Sequence, residues 1–403
     1  MTTQAERVSS PHVPPALIGH FDFHRGEGMY TDPWGECHAL NERPEIFYSL
    51  DLGGFWVVTR KHLIEEVISN SELLSSSYST IPKIDDDLRL IPPNLDPPIH
   101  AKYRALVAQS VFSARALANL EKDARAIARE LVAKVKHKGA GDFMLDFARP
   151  LPVTVFLNLM GMPLERLGEF IDWVEIFFRS TDGEEVGAAR MHVLQFAQDW
   201  LDSDPDKSGN RILSELKAAK IDGRSLTRDE LSNIVLTLFM AGLDTVSAAL
   251  GHIFHFLATH PLHLQSLVAE PKRIPFAIEE MLRRFGLANL VRVPNRDVEF
   301  HGVPMHKGDL VLCSMAVSGL DESASVHADR VDFDRPNVRR HVAFGAGPHL
   351  CVGQLLARTE IRVLLEEVLP SLASLRLKSG VAIEYKPGSI LTLRSLPVIW
   401  DVS

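Results

Sequence analysis

Residues 344–353 read Phe-Gly-Ala-Gly-Pro-His-Leu-Cys-Val-Gly and run directly into an apolar stretch with helical spacing. No other segment limits the possible folds as tightly. Glycines on either side of Ala346 let the backbone take positive φ and pass close to a flat ligand, and Pro348 stiffens the loop just before the sulfur. A free cysteine is ordinarily a small buried hydrophobe. Here the loop is shaped to present a thiolate.

These residues match every fixed position of the signature Phe-Gly-x-Gly-x-His-x-Cys-x-Gly, and in them the chain resembles the cytochrome P-450 haem-thiolate monooxygenases. The resemblance implies haem b, with Cys351 as the proximal ligand of its iron and His349 against a propionate. Phe344, Gly345 and Gly353 would shape the loop and helix start against the porphyrin. It also implies the architecture: mainly α with small β-sheets, one domain, the haem between a long distal helix and the proximal helix after the cysteine loop. Residues 1–20 are expected to be a mobile segment and residues 21–403 the single haem-binding domain.

Composition agrees with one large cytoplasmic body. Of the 403 residues, 46% are hydrophobic, and no linker or internal repeat divides them. The cysteines at 37, 313 and 351 are odd in number and lack metal-ligand spacing, which argues against a disulfide framework or zinc site. The polar, proline-containing N-terminus has neither a basic n-region nor an apolar h-region, so no membrane contact is expected. A formal charge of −9 argues against nucleic acid as a partner.

Along the chain, Gly54–Thr59 reads as a strand and Lys61–Asn70 as a helix. The acidic loop around Asp85-Asp86-Asp87 resembles the family's pocket cover, with Leu88 and Leu90 facing inward. Asp96 before two prolines reads as a helix N-cap. His100 and Arg104, four apart on one helix face, match the family's propionate-binding pair. Helical spacing follows over Ala116–Val135 and Leu151–Met162. Phe177 and Phe178 precede a break at Asp182-Gly183, as either core or part of a mobile lid.

Thr227 and Glu230 form a capping box opening one helix that is expected to run to His260, about 50 Å at 1.5 Å per residue. Within it, Gly242 and the pair Asp244-Thr245 are unfavourable for a helix centre. Thr245 can simply back-bond to the preceding turn and bend the helix. By resemblance, Asp244 and Thr245 are instead the acid-alcohol pair that supplies protons for dioxygen reduction, and Gly242 opens a groove beside them. His252 and His255 lack a third ligand and are not read as a metal site.

Glu280 and Arg283 match the family's Glu-x-x-Arg element, which with Arg335 is expected to form a buried network holding the cysteine loop. Arg292, on the apolar strand after Leu287, matches a further propionate contact. Leu88, Phe178, Thr237, Ala241, Leu287, Leu290 and Ile390 are the expected pocket lining. Arg60, Lys102, Arg339, Arg340 and Arg358 would form a basic face for an acidic iron-sulfur ferredoxin served by a flavin-dependent reductase.

Stretches such as Phe300-His301-Gly302-Val303 and Leu396-Pro397-Val398-Ile399-Trp400 resemble the bacterial camphor hydroxylase branch. That branch has a tyrosine in the covering loop, whereas no tyrosine lies between Tyr78 and Tyr103 here, and Leu88 takes roughly its place. The expected reaction is therefore hydroxylation of another small apolar terpenoid with O2, either a monoterpenoid or a norisoprenoid such as an ionone. A haem-thiolate sensor and a hydrogen-peroxide-driven peroxygenase are the alternatives; neither needs Asp244-Thr245.

Overall fold

Phe55–Val58 combines the aromatic and β-branched types that suit a strand, and all four residues are fully buried. The computed structural model describes residues 12–78, 80–83, 90–180, 182–204 and 210–402, and sets this segment inside a six-stranded sheet. The strands are β1 (Ile18–Gly19), β2 (Ile46–Ser49), β3 (Phe55–Val58), β4 (Leu74–Ser75), β5 (Asn289–Pro294) and β6 (Val311–Ser314). Their spatial order is β1-β2-β3-β6-β5-β4.

Strand β6 runs parallel to β3 and antiparallel to β5, so Val311 lies between Trp56 and Arg292. The sheet thus joins segments from both halves of the chain. The expected boundary at residue 20 is corrected: Ile18 and Gly19 already pair with Tyr48 and Ser49, and the His12 ring lies 3.0 Å from the Asp309 carboxylate.

Helices make up most of the remainder. The principal ones are α1 (Lys61–Ser69), α2 (Ile99–Ser110), α3 (Leu120–Val135), α4 (Pro150–Met160), α5 (Leu167–Arg179) and α6 (Gly183–Asp202), then α7 (Arg228–Leu243), α8 (Thr245–Thr259), α9 (Ile274–Arg284) and α10 (Gln354–Val368). Helix α3 begins at Leu120, not Ala116. Asp96 does not cap α2; its carboxylate accepts from Ser75 Oγ at 2.5 Å and the Ser76 amide at 2.9 Å, tying β4 to the start of that helix.

The capping box at Thr227 forms as expected. Thr227 Oγ1 accepts from the Glu230 amide at 3.2 Å, and the Glu230 carboxylate accepts from the Thr227 amide at 2.7 Å. The single long helix does not. Helix α7 ends at Leu243, Asp244 sits at φ −111°, and α8 restarts at Thr245.

The interruption has a local cause: Thr245 Oγ1 donates to the Ala241 carbonyl at 2.9 Å. Gly242 also plays a different part from the one expected. A Cβ there would collide with the Phe156 ring, so its missing side chain lets α7 pack closely on α4. Among the described residues, 228–259 is the one stretch long and apolar enough to cross a bilayer, and most of it is buried inside the protein.

Candidate active site

The cysteine loop adopts the backbone its glycines permit, with φ +75° at Gly345 and +63° at Gly347. The Cys351 amide donates to the Phe344 carbonyl at 2.9 Å, which closes the loop. Burial pushes the Cys351 thiol up, opposed by the Gly353 N–H donating to the sulfur and by the charges of Arg104 and Arg358. At Cys37 and Cys313 burial outweighs the nearby charges of Arg284 and Arg292 and pushes both thiols to about 12. Of the three sulfurs, Cys351 is the one in an electropositive, partly open setting.

Four basic side chains converge beside it. The His100 and His349 rings stand 4.0 Å apart, and His349 Nε2 lies 3.1 Å from Ser76 Oγ. Burial, reinforced by His100, Arg292 and Arg104, lowers His349 to about 3, so it is a neutral hydrogen-bonding group at pH 7. Arg292 is almost fully buried and, among the described residues, donates only to backbone carbonyls, to Val291 at 2.8 Å and Ile68 at 3.4 Å. Burial lowers Arg292, and it lowers Arg104 as well.

Among the described residues neither Arg104 nor Arg292 pairs with a carboxylate. A buried guanidinium without an anion is costly, and the two propionates of a haem would supply that anion. The residues therefore fit the group that the cysteine loop implies.

Across the site, α7 is buried almost continuously from Ile234 to Met240, yet Ala241 is exposed and Thr245 half-exposed. These two lie four apart on the same face, so that face opens onto free space. Asp244, one residue back, is held by Arg179 at the end of α5, whose Nη2 donates to its carboxylate at 2.6 Å. Sequence reading missed Arg179 although it directly follows Phe178. Its only signal was a charge ending an apolar helix.

Glu280 is completely buried and accepts from Arg283 Nε at 2.8 Å, Arg335 Nε at 2.9 Å and the Asp332 amide at 2.9 Å. Both arginines continue outward: Arg283 donates to the Gly319, Ala328 and Arg330 carbonyls, and Arg335 to Val326, His327 and Arg330. The network holds the segment leading into the cysteine loop.

Glu279 ties together the two flanks of the loop, a role that sequence reading did not assign. It accepts from Arg358 at 2.7 and 3.0 Å and from His341 Nε2 at 3.0 Å. The Ala343 amide donates to His341 Nδ1, so the ring proton sits on Nε2 and points at Glu279. Burial alone would raise Glu279; His341 and Arg358 outweigh it and hold the carboxyl at about 2. The Arg358 guanidinium also stacks 4.4 Å over Phe344.

Other expected site residues distribute as follows. Leu290 and Arg292 share one face of β5, and Leu290 lies beside Gly345. Ala288 bridges to Ile390, and the Leu391 amide donates to the Leu287 carbonyl at 2.9 Å, so the segments carrying Leu287 and Ile390 are paired. Thr237 is buried with its hydroxyl donated to the Asn233 carbonyl at 2.9 Å, so its hydrogen is already used. Phe178 is half-buried against Phe177. Leu88 lies outside the described residues, and Leu90 is buried.

The basic face is less uniform than expected. Arg339 and Arg340 are exposed, with Arg339 over the exposed Phe276 ring. Lys102 pairs with Asp222 at 2.6 Å, Arg60 donates to the Asn41 carbonyl at 2.9 Å, and Arg358 is engaged by Glu279.

A cysteine loop with Gly353, Arg104 and Arg358 acting on its sulfur, cations beside it that lack a carboxylate partner among the described residues, and an interrupted helix carrying Asp244-Thr245 fit a haem-thiolate oxygenase. The family model described as Cytochrome P450 matches residues 182–395. The chain is 35% identical to "Probable cytochrome P450 127A1" of Sinorhizobium fredii over 96% of both chains, and 30% identical to "Cytochrome P450(BM-1)" of Priestia megaterium over 86% of this chain and 87% of that one. The solved structure of cytochrome P450 CYP101C1 superposes with a TM-score of 0.88 at 29% identity, covering 97% of this chain and 99% of that one. CYP101J2 gives the same score at 28% identity, with the same coverage. The chain belongs to the cytochrome P450 family: it is a monooxygenase of bacterial type whose cofactor is haem b.

Proposed function

We propose that the protein hydroxylates a small apolar terpenoid-like molecule, a monoterpenoid or a norisoprenoid such as an ionone, in the cytoplasm, with O2 and electrons from an iron-sulfur ferredoxin reduced by a flavin enzyme. What supports the substrate class is the character of the proposed lining: Ala241, Leu287, Leu290 and Ile390 are apolar, and the Thr237 hydroxyl already donates to the Asn233 carbonyl. Such a pocket selects by shape and area more than by hydrogen bonding. The exposed Arg339 and Arg340 suit electrostatic steering of an acidic donor.

Cys351 would hold the haem iron, with His100, Arg104, Arg292 and His349 around the propionates. When bound, the haem supplies the iron at which dioxygen is reduced and one oxygen atom is transferred to a substrate C–H bond. The protons come from the protein side. Thr245 donates its hydrogen to the Ala241 carbonyl, leaving its oxygen free to accept from a water in the opened face. Asp244 stands next in line toward the outside and exchanges protons once its Arg179 contact loosens.

Optical titration of the ferric protein with monoterpenoids, ionones and small aromatics tests the substrate class. A low-spin to high-spin shift with the terpenoids is expected; a shift with aromatics alone would overturn that choice. Thr245→Ala tests the proton path: consumption of reducing equivalents should continue while product per electron pair falls about 10-fold or more. Unchanged coupling would favour the peroxygenase alternative, and no turnover with any terpenoid in the parent protein would favour the sensor.

A further inference from the structure

Two histidines that the site described above does not use lie on α8, within the mostly apolar stretch 248–258. His252 and His255 are three residues apart and so share one face of the helix. His252 is almost completely buried, and burial lowers it to about 3, so its ring is neutral at pH 7 and carries one N–H. Nε2 donates that hydrogen to the Leu391 carbonyl at 3.0 Å, while Nδ1 is buried with no partner among the described residues. A ring nitrogen buried without a partner is costly, and an apolar side chain would avoid the cost. The bond to Leu391 is what the imidazole adds.

The ring is held in one orientation. Tyr385 and Phe285 lie nearly parallel to it, at interplanar angles of 13° and 19°, and Trp34 meets it edge-on at 5.0 Å. His255 reaches the same piece of chain through its other strand, with Nδ1 3.3 Å from the Tyr385 hydroxyl. Burial pushes Tyr385 to about 12 and lowers His255 to about 4, so this contact joins two neutral groups at pH 7.

Tyr385 and Leu391 belong to one short hairpin. Its ladder pairs Tyr385–Lys386 with Thr392–Leu393, and two residue pairs do not by themselves fix the turn between them. The surroundings do. On one side the Asn289 amide donates to the Ser389 carbonyl and the Leu391 amide to the Leu287 carbonyl, both at 2.9 Å, and Ile390 bridges to Ala288. On the other side His252 holds the Leu391 carbonyl. Ile390 thus stands between two tied residues, next to a strand whose Leu290 lies beside Gly345 of the cysteine loop.

We infer that His252, supported by the His255–Tyr385 contact, is a positioning residue for substrate selection: from α8 it sets where Ile390 stands in the distal pocket. The inference rests on the reading of Ile390 as pocket lining. Helix α8 starts at Thr245, so one rigid element carries that hydroxyl and, seven residues or about 10 Å further on, the imidazole that fixes the pocket wall. Losing the N–H leaves the buried Leu391 carbonyl without this donor and frees the turn to shift, and Ile390 with it.

The test uses haem-loaded wild-type protein and three variants: His252→Phe, which keeps a ring and loses the N–H, His252→Gln, whose amide can donate from the same place, and Tyr385→Phe. Soret titrations of the ferric protein give the dissociation constants of imidazole, too small to press on the pocket wall, and of 4-phenylimidazole, which must pack against it. His252→Phe should bind 4-phenylimidazole about 3- to 10-fold more weakly, the weight of one hydrogen bond, with imidazole changed by less than about 2-fold. Tyr385→Phe should move the ratio of the two constants in the same direction by less, and His252→Gln should return it toward wild type. The thiolate carbon monoxide spectrum should be unaltered in all three. Equal shifts for both azoles, no shift for either, or a His252→Gln variant as weak as His252→Phe would overturn the assignment. The azoles report pocket shape whatever the substrate is, so terpenoids that failed to shift the spin state would remove the substrate class and leave the role of His252 standing.

Discussion

Replacing Cys351 by alanine should abolish product formation, a loss of at least about 10³-fold, or roughly 4 kcal/mol of barrier. The thiolate is the group that favours O–O cleavage in this class, and no second sulfur can substitute for it. Cys37 and Cys313 are fully buried, and burial pushes both thiols to about 12. The loop itself should survive, because its closing bond runs from the Cys351 amide to the Phe344 carbonyl and does not involve the side chain. Circular dichroism of Cys351→Ala should thus match the parent while the thiolate-type carbon monoxide spectrum disappears. Cys313→Ala is the control and should keep that spectrum; retained turnover in Cys351→Ala would refute the proximal assignment.

Glu280→Ala should cost about 3–5 kcal/mol of stability, because it strands Arg283 and part of Arg335 in a buried site. Typical domains have only about 5–15 kcal/mol in total, so much of the variant should accumulate without haem. The effect reaches the active site through the backbone. Arg335 and the Asp332 amide both donate to Glu280, and the chain then leads within a dozen residues to Phe344. Haem-to-protein ratio and urea unfolding measure the two consequences separately. A stability loss below about 1 kcal/mol would reduce the network to the weight of an ordinary surface ion pair.

The candidate site's local geometry was legible in the sequence wherever it is set within a few residues. The glycines, proline and cysteine of 344–353 act within one loop, and the capping box at Thr227 within one helical turn, so residue type and spacing suffice. Glu280 and Arg283 are likewise three apart on one helix face. Even Thr245 was readable as a residue out of place in an apolar helix, although its back-bond and the resulting break at Asp244 emerged only with the backbone.

What the sequence could not specify depends on which distant segments meet. Arg179 and Asp244 are 65 residues apart, and Glu279 joins His341 and Arg358 from 62 and 79 residues away. Nothing in the local pattern of Glu279-Glu280 says that adjacent carboxylates serve different segments, one the two flanks of the cysteine loop and the other the stretch around Asp332 and Arg335. Gly242 looked like an allowance for ligand until the Phe156 ring was found against it. Local backbone chemistry determined the proximal loop and the helix caps. Charge pairing and the close approach of α7 to α4 were decided by tertiary packing, because a buried charge or a missing Cβ acquires its meaning from the atoms placed against it.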